Sequence, residues 1–511
     1  MKSCLNKRNI LSTVLFYAVI GFLAVWLLLR FSSSTSPASM YCLGSDSAFF
    51  RYVGKAMQEG LLPYRDFFDM KGPYLFLIEY ICQWIREGRI SIFAFQCVNL
   101  FVSLVFVVKS LELFVENRLI RLLLVFPFLA QLALCLDFGN LTEEYSLVPI
   151  TFSLYCALKY FKRCDGGEHI HKPAVAVGYG FAFGVVSLIR ITNAALICAA
   201  VFSVLCVLLA KKEYRNILRN ALAFIAGLAA ACLPMLVFYA TRGLLGEMLY
   251  QVFLFGFSYA TEHSMLGNLW EAFHLPFARI SLIVFLFPIL AAVLNRKISW
   301  YYRLLAVSGS LATAFVCCMG SPFCHYFVLA APLLVVGEVL LADLLLREKR
   351  GVRGIHCALL CAAAVLIFAD GVKESFYESQ YVRYYEYFAP VLAEEEIIAN
   401  NIPEDERESV LTYNLNPAWY IVSDIKPYSR YVAWQNHYIE LSPRVEADFV
   451  RRLEEDPPLW IVTDKNDAIS SEYLRSMIAE QYELESLGEY HYVYRRKDAG
   501  SLSSRAEIEN G

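Results

Sequence analysis

The sequence predicts an all-α polytopic membrane bundle followed by a small C-terminal α/β domain. The chain has 511 residues, of which 58% are apolar, 15% aromatic and only 18% charged. Soluble proteins are about half apolar and about a quarter charged. The formal net charge of -3 also lacks the basic excess that binding to nucleic acid phosphates requires. A soluble protein and a nucleic acid partner are therefore both excluded.

The bundle is predicted from apolar runs long enough to cross a bilayer, which takes about 17 to 25 helical residues. These runs predict about eleven transmembrane helices within a domain of residues 1–370. They lie at 11–30, 91–108, 119–136, 144–161, 173–189, 193–210, 218–239, 279–295, 303–320, 325–346 and 354–370.

The orientation follows from the basic residues of the connections. Lysines and arginines concentrate in 159–172 and 211–219, whereas 137–143 and 320–324 carry almost none. The basic loops face the cytoplasm by the positive-inside rule. We therefore expect a multi-pass protein of the cell membrane with a cytoplasmic N-terminus and an extracytoplasmic C-terminal domain. The first apolar run exceeds the roughly 7 to 15 residues of a signal peptide core, so we interpret it as a retained span.

The first outer loop, residues 31–90, is polar and rich in aromatic residues. Its apolar run 73–85 is too short to span a membrane. We interpret 46–60 and 73–85 as juxtamembrane helices at the outer surface.

The C-terminal domain, residues 371–498, is predicted from a change to polar composition and from short alternating segments. It contains no cysteine, and we predict disorder for the polar tail 499–511. The predicted strands are 409–413, 459–463 and 490–495, and the predicted helices are 394–408 and 471–481.

The first candidate for chemistry is Asp46, which directly follows the first span. The apolar residues 48–50 can hold its carboxylate at the edge of the lipid and raise its proton affinity, as suits a general base. The alternative is that Asp46 only caps a helix.

A second group of charges lies in the segment 64–73 of the same loop. Lys71 as a point charge and Arg65 as a planar fork suit an anionic head group, and Asp69 adds a carboxylate. The alternative is a turn before a helix that begins at Pro73, with surface ion pairs that contribute little.

The next outer connections contribute a third group. The neighbours Glu143 and Glu144 can bind a divalent cation or position a hydroxyl group, although Asp137 can equally serve as a helix cap. Arg190 and His325 end spans on the same side, where snorkelling or capping explains them as well as phosphate binding does.

These motifs resemble a known family. Asp46 in the first outer loop, the pattern Gly-x-x-Pro-Tyr-x-Asp at 60–66 and Lys-Gly-Pro at 71–73 are similar to the GT-C fold glycosyltransferases. The similarity is strongest to the bacterial relatives of protein O-mannosyltransferases and aminoarabinose transferases, and to the Rgt-like transferases. Weaker matches lie at 142–145, 184–192 and 325–332.

The resemblance implies roles for individual residues. Asp46 matches the catalytic base, and Lys71, with Arg65 beside it, matches the donor-phosphate ligand. The family has Lys-Pro-Pro where this chain has Gly72 after the lysine.

A second acid of the family assists the acceptor or binds a metal ion. It matches Glu143 or Glu144, between which the sequence does not choose, and Asp69 is a further candidate. The cofactor question stays open between no cofactor and a Mg²⁺ or Mn²⁺ ion.

The resemblance also implies the substrates. Outside the cell, a sugar arrives on a polyprenyl phosphate, and transfer of a hexosyl or pentosyl group to a cell-envelope glycan, lipid or protein would invert the anomeric carbon. A lipid-linked glycan ligase or polymerase shares this donor class and would carry a large central outer loop rich in arginine and histidine. The candidate for such a loop is 241–278, with Arg242, Glu262, His263 and His274. A transporter would carry charged residues within its spans, whereas the ionisable residues here collect at one face. A non-enzymatic assembly protein would not need Asp46 and Lys71.

Overall fold

The computed structural model describes residues 2–39, 44–261, 267–268, 270, 274–319, 323–346 and 388–498. The helices up to residue 346 are α1 (Lys2–Phe31), α2 (Ser45–Ala56), α3 (Pro73–Ile85), α4 (Ile90–Glu112), α5 (Arg118–Leu124), α6 (Phe126–Cys135), α7 (Thr142–Asp165), α8 (Pro173–Arg190), α9 (Ala195–Ala210), α10 (Tyr214–Ala240), α11 (Leu245–Leu249), α12 (Gly256–Thr261), α13 (Pro276–Leu294), α14 (Trp300–Cys317) and α15 (Ala331–Leu346).

Six stretches of these helices are long and apolar enough to cross a membrane. The chain is thus a multi-pass membrane protein. The stretches are Ile10–Phe31, Ile90–Glu112, Arg118–Cys135, Pro173–Ala210, Tyr214–Ala240 and Cys324–Leu345.

The predicted count of about eleven spans is not confirmed. Each predicted span up to 325–346 overlies a helix, but α7, α13 and α14 are not among the six stretches. The stretch Pro173–Ala210 contains two predicted spans, which a 3₁₀ turn at Ile191–Ala194 separates. The predicted span 354–370 lies outside the described residues.

Helices do lie at the two positions predicted in the first outer loop, as α2 and α3, while their placement at the membrane surface stays a prediction. They pack so closely that a Cβ atom on Gly54 would lie 2.7 Å from the Cβ atom of Glu79. Pro73 occupies the first turn of α3, where its fixed φ angle is favourable and its missing N–H group costs nothing.

The C-terminal part contains a four-stranded sheet in the order β1-β2-β4-β3. β1 and β2 are parallel, whereas β4 is antiparallel to β2 and to β3. The strands are β1 (Val410–Tyr413), β2 (Trp460–Asp464), β3 (Tyr482–Leu487) and β4 (His491–Arg496), and the helices are α16 (Ala389–Asn401), α17 (Ala418–Val422), α18 (Gln435–Leu441), α19 (Pro443–Glu455) and α20 (Glu472–Gln481).

The predicted strands correspond to β1, β2 and β4, and the predicted helix 471–481 corresponds to α20. The edge strand β3 was not predicted, because only Tyr482 of its residues is buried and it follows α20 directly. The predicted helix 394–408 is wrong in its bounds: α16 ends at Asn401, just before Pro403. The predicted disordered tail 499–511 lies outside the described residues.

The sheet region and the first outer loop share an apolar core. The ring of Tyr52 in α2 lies 5.2 Å from that of Tyr420 in α17, and the Phe68 N–H donates to the Arg430 carbonyl at 2.8 Å. Phe49 and Trp460 belong to the same buried cluster. Because of this contact, the C-terminal part covers the outer loop that carries Asp46.

Candidate active site

A cavity of about 390 Å³ lies where the first outer loop meets the C-terminal part. It is lined by the start of α2, residues 70–71, the turn 137–141, the end of α8, residues 323–326 and the start of α18. The charged side chains that line it are Asp46, Lys71, Asp137, Arg190, His325 and His437.

Asp46 lies in the first turn of α2, after the N-cap residue Gly44, so it is not the cap itself. Its Oδ1 atom is 3.3 Å from the Nζ atom of Lys71. Burial raises the pKa of Asp46, but the charges of Lys71, His325 and Arg190 outweigh burial and hold the pKa below its usual value. The expected increase in proton affinity is therefore wrong, because the loop places a cation against the carboxylate.

Lys71 is buried between carboxylates and aromatic rings. Its Nζ atom is 3.6 Å from Asp69 Oδ2, 4.8 Å from the centre of the Trp434 ring and 5.5 Å from that of Phe50. Burial lowers the pKa of Lys71, but Asp46 and Asp69 more than offset this, and the pKa is raised. Burial raises the pKa of Asp69 despite the adjacent Lys71. Lys71 therefore remains a full positive charge inside the cavity.

The loop that holds Lys71 is fixed by hydrogen bonds on both sides. The Tyr64 hydroxyl donates to the Lys71 carbonyl at 2.9 Å, and the Gln251 amide donates to the Tyr64 carbonyl at 3.1 Å. The Gly72 N–H donates to the Ile189 carbonyl at 2.7 Å. A proline at position 72 has no N–H group for this bond, which gives the departure from Lys-Pro-Pro a structural reason.

The turn after α6 has an unusual backbone. Asp137, Phe138, Gly139 and Asn140 have φ angles of 40°, 71°, 77° and 66°. A Cβ atom on Gly139 would lie 2.0 Å from the Ser32 hydroxyl. Consecutive left-handed residues are costly and persist where the surrounding structure holds them, often at functional sites.

This turn directs Asp137 at His325. Asp137 Oδ2 is 3.3 Å from His325 Nδ1, and the other ring nitrogen, Nε2, is 3.8 Å from Asp46 Oδ2. The Phe323 ring stacks on the imidazole with an interplanar angle of 12°. The imidazole therefore lies between two carboxylates, with its plane fixed.

The two adjacent glutamates of α7 differ in their partners. Glu143 Oε1 is 3.0 Å from Arg190 NH1, and Arg190 lines the cavity. Glu144 Oε2 instead accepts from the Gln96 amide at 2.9 Å, and its other oxygen accepts from the Leu141 N–H. The geometry thus connects Glu143, rather than Glu144, to the site.

Arg65 does not line this cavity. Its guanidinium binds the adjacent Asp66 and donates to the Gly60 carbonyl, and half of the Arg65 side chain is exposed. Because these acceptors hold the guanidinium at the surface of the loop, the donor-phosphate role expected for Arg65 does not fit its position. Arg190 is the guanidinium that the fold brings to Asp46 and Lys71.

The acidic residues do not form a metal site in the part of the chain that the structure describes. No group of three or more His, Cys, Asp or Glu side chains there can hold a metal ion. Asp46 and Asp69 both lie against Lys71 instead, and the Mg²⁺ or Mn²⁺ ion considered from the sequence stays a prediction.

Three contributors to the site were not assigned to it from the sequence. Asp137 was considered as a helix cap, and His325 as a span end suited to snorkelling, capping or phosphate binding, while no role in the site was predicted for Trp434. The segment Asp-Phe-Gly-Asn at 137–140 did carry a signal, since Asp, Gly and Asn tolerate left-handed conformations. No local pattern places Trp434 over Lys71, because the two residues are 363 positions apart in the chain.

Comparison with known proteins identifies the fold. The chain is similar to the crystal structure of ArnT from Cupriavidus metallidurans bound to undecaprenyl phosphate, with a TM-score of 0.58 and 12% identity over 94% of this chain and 97% of that one. It is similarly related to the apo state of the same protein, with a TM-score of 0.58 and 13% identity over 95% and 98% of the two chains. No family model matches the sequence, and no curated protein does. The chain therefore has a GT-C fold of the ArnT type, as the resemblance implied.

Proposed function

We propose that the protein is a membrane glycosyltransferase that moves a sugar from a polyprenyl phosphate to an acceptor outside the cell. The observation that carries this proposal is the contact between Asp46 and Lys71 in a cavity on an ArnT-like fold. One of the similar structures is a complex with undecaprenyl phosphate. The class of acceptor, whether a glycan, a lipid or a protein, is left to experiment.

The reaction places Asp46 as the general base. Asp46 removes the proton of an acceptor hydroxyl while that oxygen attacks the anomeric carbon in line, which inverts the configuration. The bond from the anomeric carbon to the phosphate oxygen breaks, and the phosphate leaves with the electron pair. The low pKa of Asp46 keeps the carboxylate ionised at neutral pH, ready to accept the proton.

Lys71 is the group that stabilises the departing phosphate. Its ammonium has three donor hydrogens, and the two carboxylates that flank it leave one for a phosphate oxygen. A fixed cation in a poorly hydrated cavity stabilises developing charge strongly, because it does not reorganise during the reaction. Arg190, which lines the same cavity, is a second cation within the site.

An apolar groove beside the site suits the isoprenoid chain of such a donor. A cavity of about 620 Å³ lies among α3, α4, α7 and α8, with Ile78, Phe95, Phe181 and Ile189 in its walls. The Ile189 carbonyl accepts from Gly72, so the groove ends next to the loop that holds Lys71. We propose that the isoprenoid lies here with its phosphate directed at Lys71.

The experiment compares wild type with Asp46→Asn in a panel of radiolabelled undecaprenyl-phosphate sugars and envelope acceptors. Asp66→Asn is the matched control, because Asp66 lies in the same loop but pairs with Arg65 at the surface. We expect transfer by wild type and by Asp66→Asn, and none by Asp46→Asn, with equal membrane insertion of all three. Full transfer by a well-inserted Asp46→Asn protein would refute the role of Asp46.

A transporter is a second candidate because of Glu338. This residue lies in α15 within an apolar span and is 2% exposed, and neither of its carboxylate oxygens has a hydrogen-bond partner. It is an exception to the expectation that ionisable groups collect at one face, and such groups in spans often mark ion pathways. Glu338→Gln separates the two functions: transfer that survives this change but not Asp46→Asn favours the enzyme.

The ligase or polymerase alternative depended on the loop 241–278. Its Glu262 and His263 lie outside the described residues. The His274 Nδ1 atom lies 2.8 Å from the nearby Trp270 carbonyl. An acceptor panel that includes lipid-linked glycans distinguishes this alternative by its product.

A further inference from the structure

As the general base, Asp46 receives the proton of the acceptor hydroxyl. Its pKa is held below the usual value, and the Lys71 Nζ atom lies 3.3 Å from its Oδ1 atom. A protonated Asp46 in this setting has to lose its proton before it can serve a second turnover. Among the described residues, the imidazole of His325 offers a lone pair suited to take that proton, since its Nε2 atom is 3.8 Å from Asp46 Oδ2.

The orientation of His325 suits this role. Asp137 Oδ2 lies 3.3 Å from Nδ1, so it fixes the tautomer that carries its proton on Nδ1 and presents the Nε2 lone pair to Asp46. The stacked Phe323 ring and the Tyr326 ring, whose centre is 4.6 Å away, hold the imidazole plane from two sides. An acid that orients a histidine through Nδ1 and stabilises its protonated form is the arrangement of catalytic triads.

The backbone around Asp137 indicates that its contact with His325 is functional. Four consecutive residues adopt positive φ angles from Asp137 to Asn140, and such strain persists where a side chain has to be aimed. The Gly139 N–H donates to the Leu136 carbonyl at 2.7 Å, and the Ser34 N–H donates to the Phe138 carbonyl at 2.9 Å. These bonds fix Asp137 relative to the end of α1.

We propose that His325, oriented by Asp137, is a proton-relay residue that takes from Asp46 the proton of the acceptor hydroxyl. The inference rests on the proposed glycosyl transfer. In the first step the acceptor O–H bond breaks and an O–H bond forms on Asp46. In the second step that proton moves to Nε2 of His325, which becomes an imidazolium beside Asp137, and the open side of the cavity returns the proton to water.

The distance of 3.8 Å between His325 Nε2 and Asp46 Oδ2 is longer than a hydrogen bond. Catalytic hydrogen bonds are often long without substrate and shorten in the reactive complex. A movement of about 1 Å, or one water molecule between the two groups, completes the relay. The charged and titratable groups that face His325 are Asp46 from α2, Lys71 from the first outer loop, Asp137 from the turn, Glu143 from α7, Arg190 from α8 and His437 from α18.

The test compares His325→Gln, His325→Ala and Asp137→Asn with wild type in the radiolabelled undecaprenyl-phosphate sugar assay, from pH 5.5 to 9. Asn tolerates the positive φ angle at position 137, so Asp137→Asn removes charge while keeping the turn. His274→Gln is the matched control, because His274 lies outside the cavity and is exposed. Exogenous imidazole is added to each variant.

We expect His325→Gln to lower kcat about 100-fold, as loss of a proton-transfer group does, while KM for the donor lipid changes less than about twofold. The loss of kcat in His325→Gln should be smaller at high pH, where hydroxide removes the proton from Asp46. Added imidazole should raise the kcat of His325→Ala about tenfold. Asp137→Asn should lower kcat in the same direction, and the double variant should lose no more than His325→Gln does alone.

A purely structural role predicts a different pattern, with reduced thermal stability and no response to imidazole or to pH. That pattern, or a His325→Gln protein with the wild-type rate at every pH, would overturn the relay while the proposed function stands. Absence of transfer by wild type would overturn the proposed function and the relay with it.

Discussion

Replacement of Lys71 by methionine removes the charge at the centre of the site while keeping most of the side-chain volume. Its ammonium lies 3.3 Å from Asp46 and 3.6 Å from Asp69. With an effective dielectric constant of about 20, each attraction amounts to about 5 kcal/mol before desolvation is subtracted. Breaking such a buried pair usually costs about 3 to 5 kcal/mol, because the partner charge stays buried without compensation.

Removal of the Lys71 charge should also change the pH dependence of transfer in a defined direction. In the wild type, Lys71 is the leading attraction that offsets burial and lowers the pKa of Asp46. Without Lys71, burial remains, so the pKa of Asp46 rises and the carboxylate becomes protonated at higher pH. The acidic limb of the kcat/KM profile should therefore move to higher pH in Lys71→Met. In the wild type, ionised Asp46 stabilises the fold above its unfolded pKa, and this stabilisation is lost as the pH falls through the folded pKa. Lys71→Met should reduce this stabilisation as well.

The assay is the pH profile of sugar transfer by purified Lys71→Met and Lys71→Arg, with thermal unfolding recorded in parallel. Lys71→Met loses the ammonium group that donates hydrogen bonds to the departing phosphate. We therefore expect kcat to fall about 100- to 1,000-fold. Lys71→Arg keeps the charge, so its acidic limb should stay where the wild type has it, with a smaller fall in rate. A Lys71→Met protein with the wild-type acidic limb would refute the electrostatic account of Asp46.

Two further changes test the local geometry. Gly72→Ala should abolish transfer and lower thermal stability, because the new Cβ atom would lie 2.2 Å from the Leu188 carbonyl oxygen; a stable, active protein would contradict the close contact. Arg190→Gln should lower both stability and transfer, since it removes the cation that pairs with Glu143, whose side chain is 1% exposed, at a cost of about 3 to 5 kcal/mol. Arg65→Gln is the control for that variant. It should change the free energy of unfolding by less than about 1 kcal/mol, as expected for an exposed ion pair. If Arg65→Gln lost as much stability and transfer as Arg190→Gln, the assignment of Arg190 to the site would be contradicted.

The comparison of Arg65 with Arg190 shows why local sequence was insufficient to define the site. Arg65 is close to Lys71 in sequence, yet the adjacent Asp66 binds its guanidinium at the surface. Arg190 is far from Lys71 in sequence, yet the hydrogen bond from Gly72 to the Ile189 carbonyl brings the end of α8 to the loop. Distance along the chain therefore says little about which cation reaches the cavity.

The pKa of Asp46 illustrates the same limit for electrostatics. The apolar neighbours in sequence predicted a raised proton affinity, and burial does act in that direction. The opposing charges come from Lys71, His325 and Arg190, on three different parts of the chain. Their combined effect depends on distances of a few ångströms, which no local pattern encodes.

The sequence by itself determined the membrane class, the positions of most long helices, the loop that carries Asp46 and Lys71, and most strands of the C-terminal sheet. Hydrophobic length and alternation are properties of contiguous residues, so they can be read along the chain. Only the tertiary structure decided that Asp137 and His325 face Asp46, that Trp434 lies over Lys71, and that Glu143 rather than Glu144 reaches the site. Those contacts join segments distant in sequence, and they exist because the C-terminal part packs against the first outer loop.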